Sequence, residues 1–431
     1  MAEDKFTAII VGAGPAGSTA AYLMAQAGLE VLLIERGETP GSKNMFGGRM
    51  YSNALNHIIP RFWEEAPLQR PVVKEILSFI SGSHSVSVTC QEPGWLEPPA
   101  HSFTVLRAEF DAWLAGKAEE AGAILACGIR VDDVLMENGR VIGVRAGEDE
   151  IYADVVVAAD GANSLLTEKA GLRKALLPGQ VATGAKQLIE LPADTISQRF
   201  QLEANQGAAC LYVGSCTGGL PGGGFLYTNQ TSISLGLVVN AAALQSNQIK
   251  INELLEDFKA HPQIAPLIAD GQVAEYSAHL VPEAGLNMRP KLFGEGILVA
   301  GDAAGLVINL GFMVRGMDLA IASGAAAAQT IMAAQAKNDF TRQGLSGYLE
   351  FLKQNGVWTA METYRHAPEF LDNRRIYEAY PQLITDLAVD VFTINDRPPE
   401  HMLNKILNGI RNSNIGWAGL AGDAWKGGRS L

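Results

Sequence analysis

The sequence predicts an α/β protein organised around a Rossmann-like, nucleotide-binding sheet. Three observations carry that prediction. The stretch "FTAIIVGAGPAGSTAAYLMAQAGLEVLLIER" joins an apolar strand to a glycine-rich turn, a helix and a second strand. Two distant segments, "IYADVVVAADGANSLL" and "GEGILVAGDAAGLVINLGFMVRGMDLAIASG", again end an apolar run in Asp-Gly or Gly-Asp. Between them lie alternating runs such as "SISLGLVV", the pattern of a sheet with one buried face.

Phe6 to Val11 is apolar and β-branched, so it reads as a buried strand. It enters Gly12-Ala13-Gly14-Pro15-Ala16-Gly17, the spacing of a dinucleotide fingerprint. Gly12 lets the chain turn, Gly14 lets a pyrophosphate approach the backbone, and Gly17 lets the helix pack on the strand. A helix is expected from Pro15 to Ala27, with Gly28 as its stop. Its N-terminus offers free N–H groups and a positive dipole end to phosphate. The second strand, Glu30 to Ile34, delivers Glu35 and the adjoining Arg36 to the same site. A carboxylate there accepts from a ribose hydroxyl and repels a 2′-phosphate, which disfavours NADP. The fingerprint alone leaves NAD and FAD open.

The remaining organisation follows from the same patterns. The nucleotide domain is expected to be discontinuous, over residues 1–75, 104–179 and 274–336. An antiparallel-sheet substrate domain is expected over 76–103 and 180–273, and a mostly helical region over 337–431. Leu319 to Ala336 is uncharged but rich in alanine, too weakly apolar for a comfortable membrane span. It reads as a small-residue core helix.

Composition narrows the function. Charged residues are 18% of the 431, below the usual share of about a quarter, as in a well-buried enzyme. A net charge of −13 argues against nucleic acid as a partner. The four cysteines form no C-x-x-C pair, which predicts a reducing compartment and neither a disulfide framework nor an iron–sulfur site. The opening "MAEDKF" is not a signal peptide, so a cytoplasmic location is expected. No nucleophile set, metal-ligand cluster or P-loop stands out, so a cofactor should carry the chemistry.

The three strand-end motifs together resemble the FAD family that includes p-hydroxybenzoate hydroxylase and geranylgeranyl reductase. The resemblance implies that Gly12, Gly14, Pro15, Ala16, Gly17 and Glu35 hold the ADP half of FAD. It places Arg107 near the phosphates, Asp160-Gly161 near the pyrophosphate, and Asp302, after Gly301, on the ribityl chain. Gly311 and Gly316 would leave room for backbone to approach the flavin ring. The helix that follows would turn its positive end to the N1–C2=O edge and stabilise reduced flavin.

The segments "GSKNMFGGRMYSNALNHIIP", "VLRAEFDAWL", "NQGAACLYVGS", "GGGFLYTNQTSISLGLVV" and "EYSAHLVPEAG" narrow the resemblance to the FixC-type flavoproteins. These are relatives of electron-transfer flavoprotein–ubiquinone oxidoreductase. The resemblance implies electrons taken from a two-subunit electron-transfer flavoprotein and delivered through FAD to quinone. The resemblance also implies a small separate ferredoxin-like subunit; because the chain lacks cluster cysteines, either such a subunit supplies the cluster or electrons pass between flavins directly. Quinone as acceptor further implies peripheral contact with the inner face of the cytoplasmic membrane. Gly47, Gly48 and Arg49 are expected against the flavin, the arginine contacting an anion. Phe225 and Tyr227 would wall a quinone pocket. His279 is a candidate donor to a quinone oxygen, although such a histidine is more often structural. Reduction of a prenyl or other apolar small substrate is the alternative. In the tail, Trp358, Trp417 and Trp425 suit a membrane surface, a docking face or plain packing.

Overall fold

A computed structural model describes residues 5–43, 48–396 and 398–431. Gly47 therefore lies outside the described residues. The nucleotide sheet has the strand order Phe293–Gly294, Ile297–Val299, Asp149–Ala158, Phe6–Val11, Val31–Ile34, Ile124–Ala126. All neighbours along it pair in parallel except the first two. Strand Phe6–Val11 is central and reads as an unbroken apolar run because helices cover both faces.

Two helices fix the geometry around the glycine turn. Helix Pro15–Gln26 starts at the turn, and Gly17 is required because a Cβ there would lie 2.0 Å from the Gly12 oxygen. Helix Met317–Gln335 crosses it so closely that a Cβ on Gly324 would lie 2.1 Å from the Ala16 oxygen. This second helix is long and apolar enough to cross a membrane by composition, yet 83% of its most apolar window is buried in the core. It is the packed small-residue helix that the alanine content suggests.

The second sheet has the order Gln272–Pro282, Val181–Glu190, Ser232–Asn240, Gly222–Thr228, Gly207–Gly214, Leu68–Ser81, Ser102–Val105, Arg49–Tyr51. Strand His84–Gln91 adds to Leu68–Ser81. The sheet is antiparallel except where Gly207–Gly214 runs parallel to Leu68–Ser81, two strands joined through the nucleotide domain. Three expected domain boundaries need correction. Residues 75/76 fall inside strand Leu68–Ser81, 103/104 inside Ser102–Val105, and 273/274 inside Gln272–Pro282. All three strands belong wholly to the second sheet, so its segments begin earlier and end later than hydrophobic pattern indicated. One face of this sheet packs on helices Ala193–Phe200 and Ile251–Ala260. The other face looks toward the glycine turn.

After residue 336 the described chain holds helices and short turns with no further strand. Tyr348 anchors this region to the nucleotide sheet, its hydroxyl donating to the Val299 carbonyl at 2.9 Å. Trp358 is a core residue beneath Arg289, whereas Trp417 and Trp425 are exposed.

Candidate active site

The register of the parallel sheet aligns four strand ends. Ile34, Val11, Ala158 and Val299 stand side by side. The residues just beyond them are Glu35, Gly12, Asp160 and Asp302. At about 4.8 Å per strand they span roughly 14 Å, along the carboxyl edge where open α/β sheets bind ligands. A cavity of about 1030 Å³ runs from this edge to the second sheet and the C-terminal helices. Its volume is at the upper end of the usual range for ligand clefts, about 300–1,000 Å³.

The glycine turn is tight on its protein side and open on its cavity side. Gly12 has φ +106°, and a Cβ would meet the Ala159 oxygen at 2.3 Å. A Cβ on Gly14 would meet only the Arg107 Nη2, at 3.8 Å. Glu35 fixes the turn through both oxygens, which accept from the N–H groups of Ala13 (3.0 Å) and Gly37 (2.8 Å). Each oxygen keeps a second lone pair for a ribose hydroxyl. Pro15, Ala16 and Arg36 line the cavity beside it.

Opposite the turn, Arg107 begins helix Arg107–Glu120. It makes a bidentate pair with Asp111, Nε to Oδ1 at 2.8 Å and Nη2 to Oδ2 at 2.6 Å. Burial opposes the charge on Arg107, but Asp111, with Asp302 beyond, outweighs it and holds the pKa above the ordinary value. Burial pushes the Asp302 carboxyl up, against the attraction of Arg107. Asp160 is also raised by burial; its Oδ2 accepts from the Leu166 N–H at 3.1 Å, and its Oδ1 is enclosed without a hydrogen-bond partner. Gly161, Gly301 and Gly311 all adopt positive φ on the cavity wall, and the backbone of Gly316, Met317 and Ala320 brings a helix N-terminus to it. An open glycine cradle, an N-terminal helix end, a buried arginine and strand-end carboxylates are the donor and acceptor set that a flavin dinucleotide needs, so the residues fit FAD.

The second sheet supplies the far wall. Its register puts Phe79, Val213, Gly223, Val238, Gly184 and His279 in one row of the cavity-facing side. The next row holds Leu77, Leu211, Phe225, Gly236, Lys186 and Ser277. One half of this wall is therefore apolar and the other polar. Phe225 lies over Gly236, where a Cβ would stand 2.4 Å from the ring, and stacks on Tyr227 at 5.2 Å. The grouping of His279 with Phe225 and Tyr227 is corrected by this register. His279 sits three strands and four residues from Tyr227, roughly 20 Å away at the spacings of a sheet. Its electrostatic neighbours are Arg107 and Arg36; burial and these two charges lower its pKa to about 4, and Nε2 is enclosed without a partner. It belongs to the nucleotide half of the cavity. Nearby, burial lowers Lys186 to about 8.

Arg49 lines the cavity, but it is not a free anion contact. Its guanidinium is ion-paired with Glu75, donates to Ser102 Oγ and stacks over Tyr51 at 4.5 Å. Gly48 faces the Tyr227 ring, where a Cβ would stand 3.1 Å away.

Sequence reasoning missed the third wall, formed by Leu371, Tyr377, Tyr380, Leu420 and Asp423 of the C-terminal region. Asp423 fastens it, accepting from Arg375 at 2.7 and 2.6 Å and from the Tyr380 hydroxyl at 2.8 Å. The Arg375 hydrogen bonds, opposed by burial and aided by Tyr380, hold Asp423 down at about 2. A depressed folded pKa contributes stability that is present above the unfolded carboxylate range and is lost as pH falls toward 2. Asp423→Asn should cost about 1–2 kcal/mol at pH 7, after allowing for solvent around the half-exposed Arg375. Thermal unfolding of both proteins should converge between pH 4 and pH 2.

This architecture defines a class: an FAD-dependent oxidoreductase whose cofactor cleft is shared between a nucleotide sheet and a second, substrate-facing sheet. A family model described as FAD dependent oxidoreductase matches residues 8–204, and one described as the ETF-QO/FixC family C-terminal domain matches residues 367–431. The chain is 50% identical to "Protein FixC" of Escherichia coli K12 over 427 residues, covering 99% of each. It is 45% identical to "Probable electron transfer flavoprotein-quinone oxidoreductase YdiS" of the same organism, over the whole of both. The chain belongs to the ETF-QO/FixC family and is an FAD-dependent electron-transfer oxidoreductase. Two solved structures share the fold at lower identity. A geranylgeranyl bacteriochlorophyll reductase-like protein from Thermoplasma acidophilum has TM-score 0.68 and 22% identity, covering 95% of this chain and 96% of that one. The myxobacterial halogenase CndH has TM-score 0.64 and 19% identity, covering 99% and 91%.

Proposed function

We propose that this protein takes electrons from a reduced electron-transfer flavoprotein and delivers them through its FAD to a quinone. The observation that carries this reading is the two-sided cavity. One end is a dinucleotide cradle, and the apolar wall of Leu77, Phe79, Leu211, Val213 and Phe225 faces the same space. Bound FAD supplies the two-electron redox chemistry. The protein's residues hold it, keep water from the apolar end and leave a slot for a flat, oily acceptor. The printed name of the YdiS relative, a probable electron transfer flavoprotein-quinone oxidoreductase, supports the same donor and acceptor.

The described residues hold no group of three or more His, Cys, Asp or Glu suited to a metal. Burial raises the Cys210 and Cys216 thiols to about 12, far from thiolate ligands. A separate ferredoxin-like subunit is the source of any iron–sulfur relay in this reading. A lipid-soluble acceptor also requires a membrane approach. Phe392, Ile394, Met402, Leu403, Trp417 and Trp425 of the C-terminal region all expose apolar side chains, which suit the inner face of the cytoplasmic membrane. The apolar wall would equally accept an isoprenoid chain, which keeps prenyl reduction as the second reading.

Reconstitution tests the proposal. The reduced two-subunit flavoprotein, a short-chain ubiquinone and this protein should give sustained quinol formation, and leaving out this protein should stop it. Saturation of a polyprenyl substrate with no quinol formed would replace the first reading with the second.

A further inference from the structure

Glu283 stands where two cavities meet. It follows strand Gln272–Pro282, and its N–H donates to the Gln180 carbonyl at 3.0 Å. It lines the main cavity alongside Val307, Asn309, Gly311 and Tyr377. It also lines a smaller crevice on the other side, bounded by Gly285, Tyr364, Arg365 and Pro368. Arg365 is exposed, so this crevice leads to the surface.

We propose that Glu283 passes a proton from solvent, through this crevice, to the acceptor reduced in the main cavity. The inference rests on the quinone reading above. A quinone needs two electrons and two protons to become a quinol. It takes both electrons and one proton, a hydride equivalent, from the anionic form of the reduced cofactor, and its second proton from the Glu283 carboxyl. A proton from bulk solvent, carried by water in the crevice, then returns to the Glu283 carboxylate, so each quinol formed consumes one solvent proton and the sum balances.

The surroundings suit a group that changes charge. Among the described residues no cation pairs with Glu283. The Asn240 Oδ1 already accepts from the Ala243 N–H at 3.1 Å, which leaves its amide nitrogen to donate to Glu283. Tyr377 faces it, but the Tyr377 hydroxyl donates to the Leu371 carbonyl at 2.8 Å. Asp372 repels it from the C-terminal region. Across the crevice the Arg365 Nε donates to His366 Nε2 at 3.0 Å. Burial, opposed by Asn240 and aided by Asp372, brings Glu283 to about 7. The acid form therefore dominates below neutrality and the carboxylate above it, so delivery weakens as pH rises.

The test uses the FAD-loaded protein, Glu283→Gln and Glu283→Asp, each checked for FAD content and thermal unfolding. In wild type, infrared spectra should show a carboxylic-acid band that disappears between about pH 6 and pH 8, and this titrating band should be missing in Glu283→Gln. Reoxidation of reduced protein by a soluble ubiquinone analogue should fall above pH 7 in wild type. At pH 6 Glu283→Gln should be slower by about 10²-fold relative to ferricyanide, which takes no proton, and should lose the inflection. Glu283→Asp should regain the inflection. A wild type with no titrating band, or a Glu283→Gln profile matching wild type, overturns the proposal alone. A wild type that reduces no quinone overturns the functional reading, and this proposal with it.

Discussion

Gly14→Val should give a folded protein that purifies without colour. The reason is the asymmetry of the turn. A Cβ at Gly14 enters the cavity, with Arg107 Nη2 its single neighbour, so the fold has little cause to object. The branched side chain then occupies the space a pyrophosphate must approach. Overpacking of about 3 kcal/mol or more corresponds to FAD affinity lower by at least about 10²-fold. Gly12→Ala is the contrasting control. Its methyl group would stand 2.3 Å from the Ala159 oxygen at φ +106°, so this variant should lose the fold itself. Circular dichroism and flavin fluorescence titration separate the two outcomes.

Arg107→Leu should strongly destabilise the protein yet still let it fold. It leaves the Asp111 carboxylate buried with its bidentate partner gone, a loss of about 3–5 kcal/mol. The unfolding midpoint should fall by about 10 °C. The deficit should shrink in acid, where Asp111 takes up a proton and its burial costs less. The double variant Arg107→Leu, Asp111→Leu removes both charges and should recover most of the stability. It should not recover FAD affinity if Arg107 also serves the phosphates as their cation. Recovery of both would make Arg107 a purely structural residue.

These two cases show how far the sequence could be read. The strand ends were legible because each motif carries its own reason. Gly12 and Gly17 are needed where backbone meets backbone, and Glu35 closes a strand of fixed length. The Asp111 partner was within reach too, since Arg107 and Asp111 are four residues apart and share one helix face. What stayed hidden depends on pairing between distant segments. Glu75 neutralises Arg49 only because strands Leu68–Ser81 and Arg49–Tyr51 both flank Ser102–Val105. His279 parts from Tyr227 only through the order of four strands. The C-terminal cover closes on the cavity through Arg375 and Asp423, 48 residues apart on separate helices, a pairing no local pattern encodes. The domain boundaries missed for a related reason, since Leu68–Ser81 and Gln272–Pro282 change hydrophobic pattern along their length as they pass from covered to open parts of one sheet.

The most direct test of the account is anaerobic rapid mixing of the reduced, FAD-loaded protein with a short-chain ubiquinone, followed by flavin absorbance. The oxidised spectrum should return in full, one quinone consumed per flavin, at a rate that saturates with quinone concentration. A flavin that stays reduced at saturating quinone, yet is oxidised at once by ferricyanide, would show that the apolar end of the cavity does not admit the acceptor.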